Sequence, residues 1–356
     1  MEIFENKEQL CGEHTWSFHE ADLPASLQDL VRPLISHSWA QQSVQFPRFS
    51  RTLNSPYHSI RSEDLRQKTM AARSERFKVH LQSNFSVTTP LPDHWNLIVD
   101  SRGWQPLTGP LGYQKFVGWK VILKEAHGLT GPVLMDAKLP QTGGFHFMYL
   151  LPWSERELLI EDTTYANSPD LDTVAVEHSI TDYLRQRSWQ IQEICGKETG
   201  CLPLILHEQP EVLPFLIPVQ NSDHSCLVYP LGARSGFYHP ITGYSLPQTL
   251  RSLAWLLENW QAANPPKMID AAVSHARKNK TRWQYYLFLN RMLFLSATPE
   301  KRFEVLQRFY TLPEPLIARF YAGETQWLDS ARLLLGRPPV PLLRVWRAFQ
   351  RNPKMS

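Results

Sequence analysis

The chain has 356 residues, of which 42% are hydrophobic and 20% are charged, a balance typical of a folded globular protein and not of a disordered one. At this length a single hydrophobic core has usually stopped growing, so we expect two lobes. The net charge of +3 hides an asymmetry, because the segment from Lys267 to the end has 16 Lys plus Arg but only 6 Asp plus Glu. Such a basic segment suits an anionic membrane surface or a solvated helical face, and without a recognition module it does not indicate nucleic-acid binding.

Several classes of protein are not indicated by the sequence. The four cysteines have no CxxC spacing and the 13 histidines have no ligand spacing, so we predict neither a disulfide framework nor a metal site. The polar N-terminus has no apolar core of a signal peptide, and a reduced, cytoplasmic setting is expected. No apolar run reaches the ~18–20 residues of a transmembrane helix.

The first two thirds of the chain read mostly as strands. Met1–Glu5 has the pattern of the end of a strand. Further β-rich stretches, most of them separated by turns with Pro or Gly, are Asn96–Val99, Phe116–Leu123, Phe145–Leu151, Glu157–Ile160 and Cys226–Val228. The sequence therefore predicts a sheet-rich segment at 105–225.

From Leu246 onward the apolar spacing becomes helical. The predicted helices are Leu246–Asn259, Lys267–Lys278, Trp283–Leu295 and Arg302–Phe309. Trp283–Leu295 is too short to span a bilayer and contains Asn290 and Arg291, so it is either a core helix or an interfacial one. The chain as a whole is predicted to be a mixed α/β protein with a helical C-terminal part.

Short functional motifs are absent: there is no GxGxxG, Walker loop, GxSxG or HExxH. Longer strings are more informative. The segment GEHTWSFH (12–19), the strand LLIEDT (158–163), GARSGFYHPITGYSLP (232–247), and the tail segments NRMLFL (290–295) and GRPPVP (336–341) stand in the order found in one family. In these strings the chain resembles the bacterial lycopene β-cyclases over nearly its whole length.

The resemblance implies a Rossmann-like FAD-binding body at 1–104 and 226–260, a sheet-rich substrate lobe at 105–225 and a helical part at 261–356. In such a fold Glu5 matches the acidic residue that binds the adenosine ribose. The first strand and glycine-rich turn of the family are not in the sequence, although they supply backbone N–H groups to the pyrophosphate. We expect that the start codon was assigned too late; the alternative is a truncated, inactive remnant that binds carotenoid or membrane without FAD.

The implied reaction is a redox-neutral cyclisation of lycopene to γ-carotene and β-carotene, in which an acid protonates a terminal double bond. Glu161 is the predicted acid, because a carboxyl group in an apolar pocket stays protonated near neutral pH. Asp162, on the opposite face of an extended strand, and Asp136 are further candidates for catalysis, although we favour structural roles for both. His127 is either a base or, as we favour, a turn residue.

The resemblance also implies that reduced FAD is needed without net electron transfer and that NAD(P)H serves to reduce it. Candidate cofactor-binding residues, besides Glu5, are Asp100, Gly103, Gly236, Pro240, Gly243 and Tyr244, where the alternative is a set of plain turns. Aromatic residues predicted to line the substrate and shield a cation are Trp119, Phe145, Phe147 and Tyr149.

Because lycopene dissolves in the bilayer, peripheral attachment to the inner face of the cell membrane is expected, through Trp283–Leu295 and Leu342–Phe349; a buried bundle is the alternative. An FAD-dependent reductase or monooxygenase acting on an isoprenoid remains the competing enzyme class.

Overall fold

The computed structural model describes residues 1–87, 91–219, 225–236, 238–260 and 264–334. The strands in these ranges are β1 (Glu2–Phe4), β2 (Thr15–His19), β3 (His37–Trp39), β4 (Gln42–Phe46), β5 (Phe49–Leu53), β6 (Tyr57–Arg61), β7 (Lys78–His80), β8 (Leu97–Asp100), β9 (Leu111–Leu123), β10 (Val133–Asp136), β11 (Phe145–Pro152), β12 (Glu157–Ala166), β13 (Ile191–Ile205), β14 (Phe215–Pro218) and β15 (Ser225–Pro230). The helices are α1 (Gln28–Val31), α2 (Ser62–Ala71), α3 (Thr173–Gln186), α4 (Leu246–Asn259), α5 (Pro265–Arg291), α6 (Arg302–Phe309), α7 (Glu314–Tyr321) and α8 (Trp327–Leu334). The mixed α/β fold class predicted from the sequence is confirmed.

The largest element is a seven-stranded sheet with the order β13-β9-β12-β11-β10-β4-β5. Neighbouring strands of this sheet are antiparallel, except that β10 and β4 run parallel to each other. The sheet contains the predicted strands of the segment 105–225, but it also includes β4 and β5, which end well before residue 105. β4 and β5 join the sheet because β4 pairs in parallel with β10. Pairing between strands so far apart in the chain has no local sequence signal.

The central strands of this sheet are buried on both faces, which explains their nearly continuous apolar sequences. One face packs against α3 through a cluster that includes Ile180 and Leu184. The other face packs against the C-terminal helices, with residues such as Phe294, Phe309 and Phe320 in the same apolar cluster as Leu159. Each strand therefore presents alternate side chains to two different environments.

Three smaller sheets complete the part of the chain that the structure describes. In one, β1 pairs with β7 in parallel; in another, β15 pairs in parallel with β8 and antiparallel with β14. The third is antiparallel and has the order β2-β6-β3. Because β8 and β15 are parallel neighbours, the loops that follow them leave the same edge of their sheet.

The C-terminal helices were partly predicted from the sequence. α4 and α6 have the predicted bounds, whereas the predicted helices Lys267–Lys278 and Trp283–Leu295 join in α5 and a π-helical turn, Met292–Ser296. Asn290 and Arg291, which interrupt the apolar run, donate hydrogen bonds to the carbonyl oxygens of Ile205 and Leu206 at the end of β13. These polar residues tie the helix to the sheet.

The segment Trp283–Leu295 is a core element and not an interfacial one. Trp283, Tyr286, Leu287 and Phe294 are buried. Leu342–Phe349, the other segment predicted to contact a membrane, lies outside the described residues. Among the described residues, none of the helices combines the length and the hydropathy that crossing a bilayer requires.

Candidate active site

The strand β12 divides its acidic residues between the two faces of the large sheet. Leu159 and Tyr165, which share a face with Glu161, belong to the apolar cluster beneath the C-terminal helices. Leu158 and Ile160, which share a face with Asp162, belong to the cluster beneath α3. Glu161 and Asp162 are both buried, but they face different parts of the molecule.

Glu161 lies in the wall of a cavity that is rich in aromatic rings. On the neighbouring strand β11, Tyr149 is the register partner of Glu161, and Phe147 lies two residues away on the same face. The cavity lining is completed by His19, Tyr57, Gln114, Leu134, Met135, Tyr165, Thr242, Tyr244 and Tyr321. The hydroxyl groups of Tyr57 and Tyr149 are 3.1 Å apart, so these two phenols satisfy each other within the wall. The cavity thus combines one buried carboxyl group with many ring faces.

A second carboxyl group, that of Glu198 on β13, meets Glu161 across the intervening strand β9. Gly118 of β9 is the register partner of both glutamates, so all three residues point to the same face. Paired residues on neighbouring strands have Cβ atoms about 4.5–5.5 Å apart, and two long side chains can therefore touch over a residue that has none. The two carboxyl groups are close enough to influence each other's ionisation, and a proton on either one could be shared between them.

Burial and mutual repulsion control the protonation of this pair. Burial, with the neighbouring charge of Glu198, raises the pKa of Glu161 well above its usual range, although the Thr163 hydroxyl donates a hydrogen bond of 2.7 Å to it. Burial also raises the pKa of Glu198 to about 7, against the opposing effect of Lys120. Two carboxyl groups in contact cannot both ionise easily. At neutral pH the pair therefore keeps a proton in the wall of the cavity that Glu161 lines.

The second glutamate is connected to the surface. Glu198 accepts a hydrogen bond of 3.3 Å from Thr15 and lies within the field of Lys120. The ammonium group of Lys120 in turn lies 2.9 Å from a carboxylate oxygen of Glu63, whose side chain is 51% exposed. Lys120 thus acts on Glu198 through its charge and contacts Glu63 directly, and these polar groups lie in order from the cavity wall to solvent.

Asp162 and Asp136, which the sequence grouped with Glu161 as catalytic residues, are separated from it by the sheet. Asp162 accepts hydrogen bonds from His146, at 2.8 Å, and from Ser179 of α3. Although burial lowers the pKa of His146, its contact with Asp162 raises it, so the two form an ion pair. The catalytic grouping is corrected because adjacent residues of a strand face opposite ways.

Asp136 has the same structural surroundings on the α3 face. It accepts hydrogen bonds from the Tyr183 hydroxyl at 2.8 Å and from Arg187 at 2.7 Å. Both of its partners belong to α3 or to the residue that follows it. Asp136 therefore fastens this helix to the end of β10 and does not reach the cavity of Glu161.

The aromatic residues predicted to line the substrate divide in the same way. Phe147 and Tyr149 line the cavity, and Phe145 lies behind Phe147 with ring centroids 4.9 Å apart. Trp119 is on the other face, where the Lys197 ammonium group lies 4.9 Å from its ring. The prediction for Trp119 is wrong because β9 turns alternate residues toward α3.

The loop 236–244 carries four of the predicted cofactor residues. Gly236 and Gly243 have φ angles of 71° and 70°, in the left-handed region that favours glycine. The ring of His239 organises the loop: Nε2 donates to the Phe320 carbonyl at 3.1 Å, and Nδ1 accepts from two backbone N–H groups of the loop. Pro240 is buried beside it, and Tyr244 reaches the cavity of Glu161.

The other predicted cofactor-binding residues lie at or just after the ends of strands. Asp100 ends β8 and binds Arg102 at 2.7 Å and Arg234 at 3.1 Å, which joins the loop after β8 to the loop after β15. Gly103 follows with a φ angle of 80°. Glu5 follows β1, and its carboxylate accepts a hydrogen bond from the Lys7 N–H group.

His127 is a turn residue, as favoured from the sequence. Its Nε2 lies 2.6 Å from the Ser154 carbonyl oxygen, and its Nδ1 accepts from the Leu129 N–H group.

Sequence reasoning missed Glu198, Thr15 and His19. Thr15 and His19 belong to the string GEHTWSFH, which was recognised only as a resemblance. Glu198 stands in a half-exposed, polar-looking strand with no motif around it. Only the strand register that pairs Glu198 with Gly118 could have indicated that it lies next to Glu161.

Comparison with known structures defines the fold class. The chain is similar to a geranylgeranyl bacteriochlorophyll reductase-like protein from Thermoplasma acidophilum, with a TM-score of 0.53 and 11% identity over 94% of this chain and 89% of that one. A flavin-dependent brominase gives a TM-score of 0.54 at 10% identity, over 93% and 90% of the two chains. At such identities the likeness concerns the fold alone.

Sequence comparison gives the family. The family model for lycopene cyclase protein matches residues 1–347. A lycopene beta-cyclase of Pseudescherichia vulneris is 39% identical over 358 residues, which cover 97% of this chain and 89% of that protein. One from Pantoea ananas is 36% identical and covers 96% and 88%. The chain belongs to the lycopene cyclase family.

Proposed function

We propose that this protein is a lycopene β-cyclase that closes β-ionone rings at the ψ-ends of lycopene. The observation that supports this most directly is the carboxyl group of Glu161, which is buried in the wall of an aromatic cavity where burial raises its pKa. An alkene is a weak base, so its protonation needs an acid placed against it where water is excluded. The family relationship supports the same substrate.

The reaction can be written with this chain's own groups. Glu161 gives its proton to the terminal double bond, the resulting cation is attacked by the next double bond, and a proton then leaves the new ring. Atoms and electrons balance within the carotenoid, so the step is an isomerisation. Tyr149, Tyr165 and Tyr321 line the cavity, and the faces of aromatic rings stabilise a cation.

We also propose that the protein uses FAD in its reduced form, with NAD(P)H as the reductant. The loops after β8 and β15 suit a large ligand with a polyphosphate, because crevices of this kind form at the carboxyl ends of parallel strands. Gly103 and Gly236 have left-handed backbone conformations, and a Cβ atom at either would meet nothing within 4 Å. When bound, reduced FAD would supply negative charge that stabilises a nearby cation.

The rest of the polyene needs an apolar path away from Glu161. Phe309 and Phe320 line a second, largely apolar cavity and also pack against Tyr321, which lines the first. We infer that the polyene passes between these rings and lies along the second cavity, beside Leu293 and Leu306. This arrangement would bring one end group at a time to the acid.

Peripheral attachment to the inner face of the cell membrane is part of the proposal, since the substrate resides in the bilayer. The support comes from α8, where Trp327 is 77% exposed and Leu328 is 49% exposed. Both precede Arg332 in the basic C-terminal segment. Exposed aromatic and apolar residues beside cations are typical of helices that lie on anionic membranes.

The proposed function is tested by pigment analysis of lycopene-accumulating cells that express the chain. We expect γ-carotene or β-carotene from the wild type and lycopene alone from Glu161→Gln, because an amide cannot donate the proton. Asp162→Asn is the matched control: it changes the next residue, on the opposite face, and the folded fraction of that variant should still cyclise. Persistent lycopene with the wild-type chain, or cyclisation by Glu161→Gln, would contradict the proposal. Consumption of NAD(P)H in step with product would instead indicate a reductase or monooxygenase.

A further inference from the structure

We propose that Glu198 is a proton-relay residue that reloads Glu161 from solvent, by way of Lys120 and Glu63. This inference rests on the proposed function, because it concerns how the same acid is restored after each ring closure.

The geometry orders the groups from the cavity outward. Glu161 lines the cavity, whereas Glu198 does not and lies behind it in the sheet. Glu198 faces Glu161 across Gly118 on one side and accepts a hydrogen bond from Thr15 on the other. A proton can therefore move between the two carboxyl groups without crossing the space that the substrate occupies.

The outer half of the relay is formed by side chains on the same face of the sheet. Lys120 is two residues from Gly118 on β9, so it points to the same face as Glu198. Its ammonium group binds Glu63, at the start of α2, whose carboxylate is half-exposed. Glu63 connects Lys120 with bulk water, and Lys120 is placed to hold negative charge on Glu198 after it has given up its proton.

The steps balance as follows. The O–H bond of Glu161 breaks as a C–H bond forms on the substrate, which leaves both carboxyl groups ionised until Glu198 takes up a proton and passes it to Glu161. Glu198 takes a proton from solvent through Lys120 and Glu63, while the proton that leaves the ring is released to water. The competing route is that Glu161 itself takes back the ring proton, in which case no relay is needed.

Deuterium content separates these two routes. In D2O the relay supplies deuterium to Glu161, so the wild type should give about one deuterium per ring, since the transferred proton comes from the general acid. If Glu161 takes back the ring proton, light hydrogen passes from one substrate to the next and the rings stay largely unlabelled. Mass spectrometry of purified β-carotene measures the difference.

The deciding variant is Glu198→Gln, which keeps the shape of the side chain but carries no acidic proton. We expect the deuterium content per ring to fall well below one and the cyclisation rate to fall roughly tenfold to hundredfold, the lower part of the range for a group in acid–base catalysis. A merely structural role for Glu198 would slow the reaction but would leave the deuterium content unchanged. Glu193→Gln, in an exposed position of the same strand, is the matched control and should behave as wild type.

Glu63→Gln provides a second test at the surface end, where the substitution does not alter the core; it should lower the deuterium content in the same direction but less. An unlabelled product from the wild type, or full labelling from both Glu198→Gln and Glu63→Gln, would overturn the relay while leaving the cyclase intact. Absence of any cyclised product from the wild type would instead refute the proposed function.

Discussion

Gly118 allows two glutamates from strands that are not neighbours to form one acid pair. A Cβ atom at this position would lie 3.0 Å from Cγ of Glu198 and 3.3 Å from Cδ1 of Leu159. Contacts this short force a neighbour to move, and Glu198 is the more movable of the two. The proposed acid pair thus depends on the missing side chain at this position of β9.

We therefore expect Gly118→Ala to displace Glu198 from Glu161 and to reduce the cyclisation rate by roughly tenfold or more. The measurement is initial rate with lycopene in detergent or vesicles, together with the melting temperature. Gly196→Ala is the control, because its Cβ would lie 3.6 Å from Lys120, an ordinary contact. Equal rates for the two variants would show that the pair does not depend on the glycine.

His239 shows how one residue can position a loop. Burial lowers its pKa to about 3, so the ring is neutral and can accept two N–H groups at Nδ1 while it donates at Nε2. The ring packs against Trp283, Tyr286 and Phe320. The predicted cofactor loop is therefore held by the C-terminal helices.

At the scale of elements, the seven-stranded sheet joins the proposed chemistry to its surroundings. β12 supplies the proposed acid, β13 supplies the second carboxyl group, and β9 supplies the glycine that lets the two meet. The other face of the same strands packs on α3. The small sheet of β2 supplies Thr15 and His19. Each element is ordinary by itself, and the cavity exists only where these sheets and the C-terminal helices meet.

The exposed residues of α8 lead to a prediction about membrane attachment. Replacing both Trp327 and Leu328 with Ala should weaken binding to anionic vesicles several-fold, because large apolar side chains supply most of the interfacial binding energy. Sedimentation with phosphatidylglycerol vesicles measures it, and activity in detergent should be unchanged. As control, Leu257→Ala removes another side chain of similar exposure (53%) at the C-terminal end of α4. If the double variant sediments like the wild type, α8 is not the attachment element.

At the scale of the whole molecule, buried ionisable groups link stability to pH. Burial raises the pKa of Glu198 from 4.5 to about 7. A group whose folded pKa is raised stabilises the fold fully below the unfolded pKa, and this contribution is lost as the pH rises through the folded value. The contribution of Glu198 should thus decline between about pH 4.5 and pH 7.

We expect Glu198→Gln to lack this component, so its free energy of unfolding should improve relative to wild type as the pH rises from 5 to 7. The limit is about 1.4 kcal/mol per pH unit for one proton. Urea unfolding at pH 5, 6 and 7 measures it. Neutral His19 and His239, with pKa values lowered to about 3 by burial, lose their stabilising effect as the pH falls below 6.5. Both histidines are present in the wild type and in Glu198→Gln, so their effects cancel in the comparison. If the difference in free energy of unfolding between the two proteins does not change with pH, Glu198 ionises with an ordinary pKa.

Periodicity and long strings are local features, so the sequence alone was enough to predict the α/β class, the family, the candidate acid Glu161, the helices α4 and α6, and six of the fifteen strands in the described residues. It could not determine which face of β12 borders the cavity, and it therefore grouped Asp136, Asp162 and Trp119 with Glu161. The tertiary structure was needed to show which face of β12 borders the cavity. It was also needed to place β4 and β5 in the large sheet, to show that Trp283–Leu295 is buried and to bring Glu161 next to Glu198. Strand register and helix docking bring together residues that are far apart in the chain, and no local pattern encodes which of them will share a face.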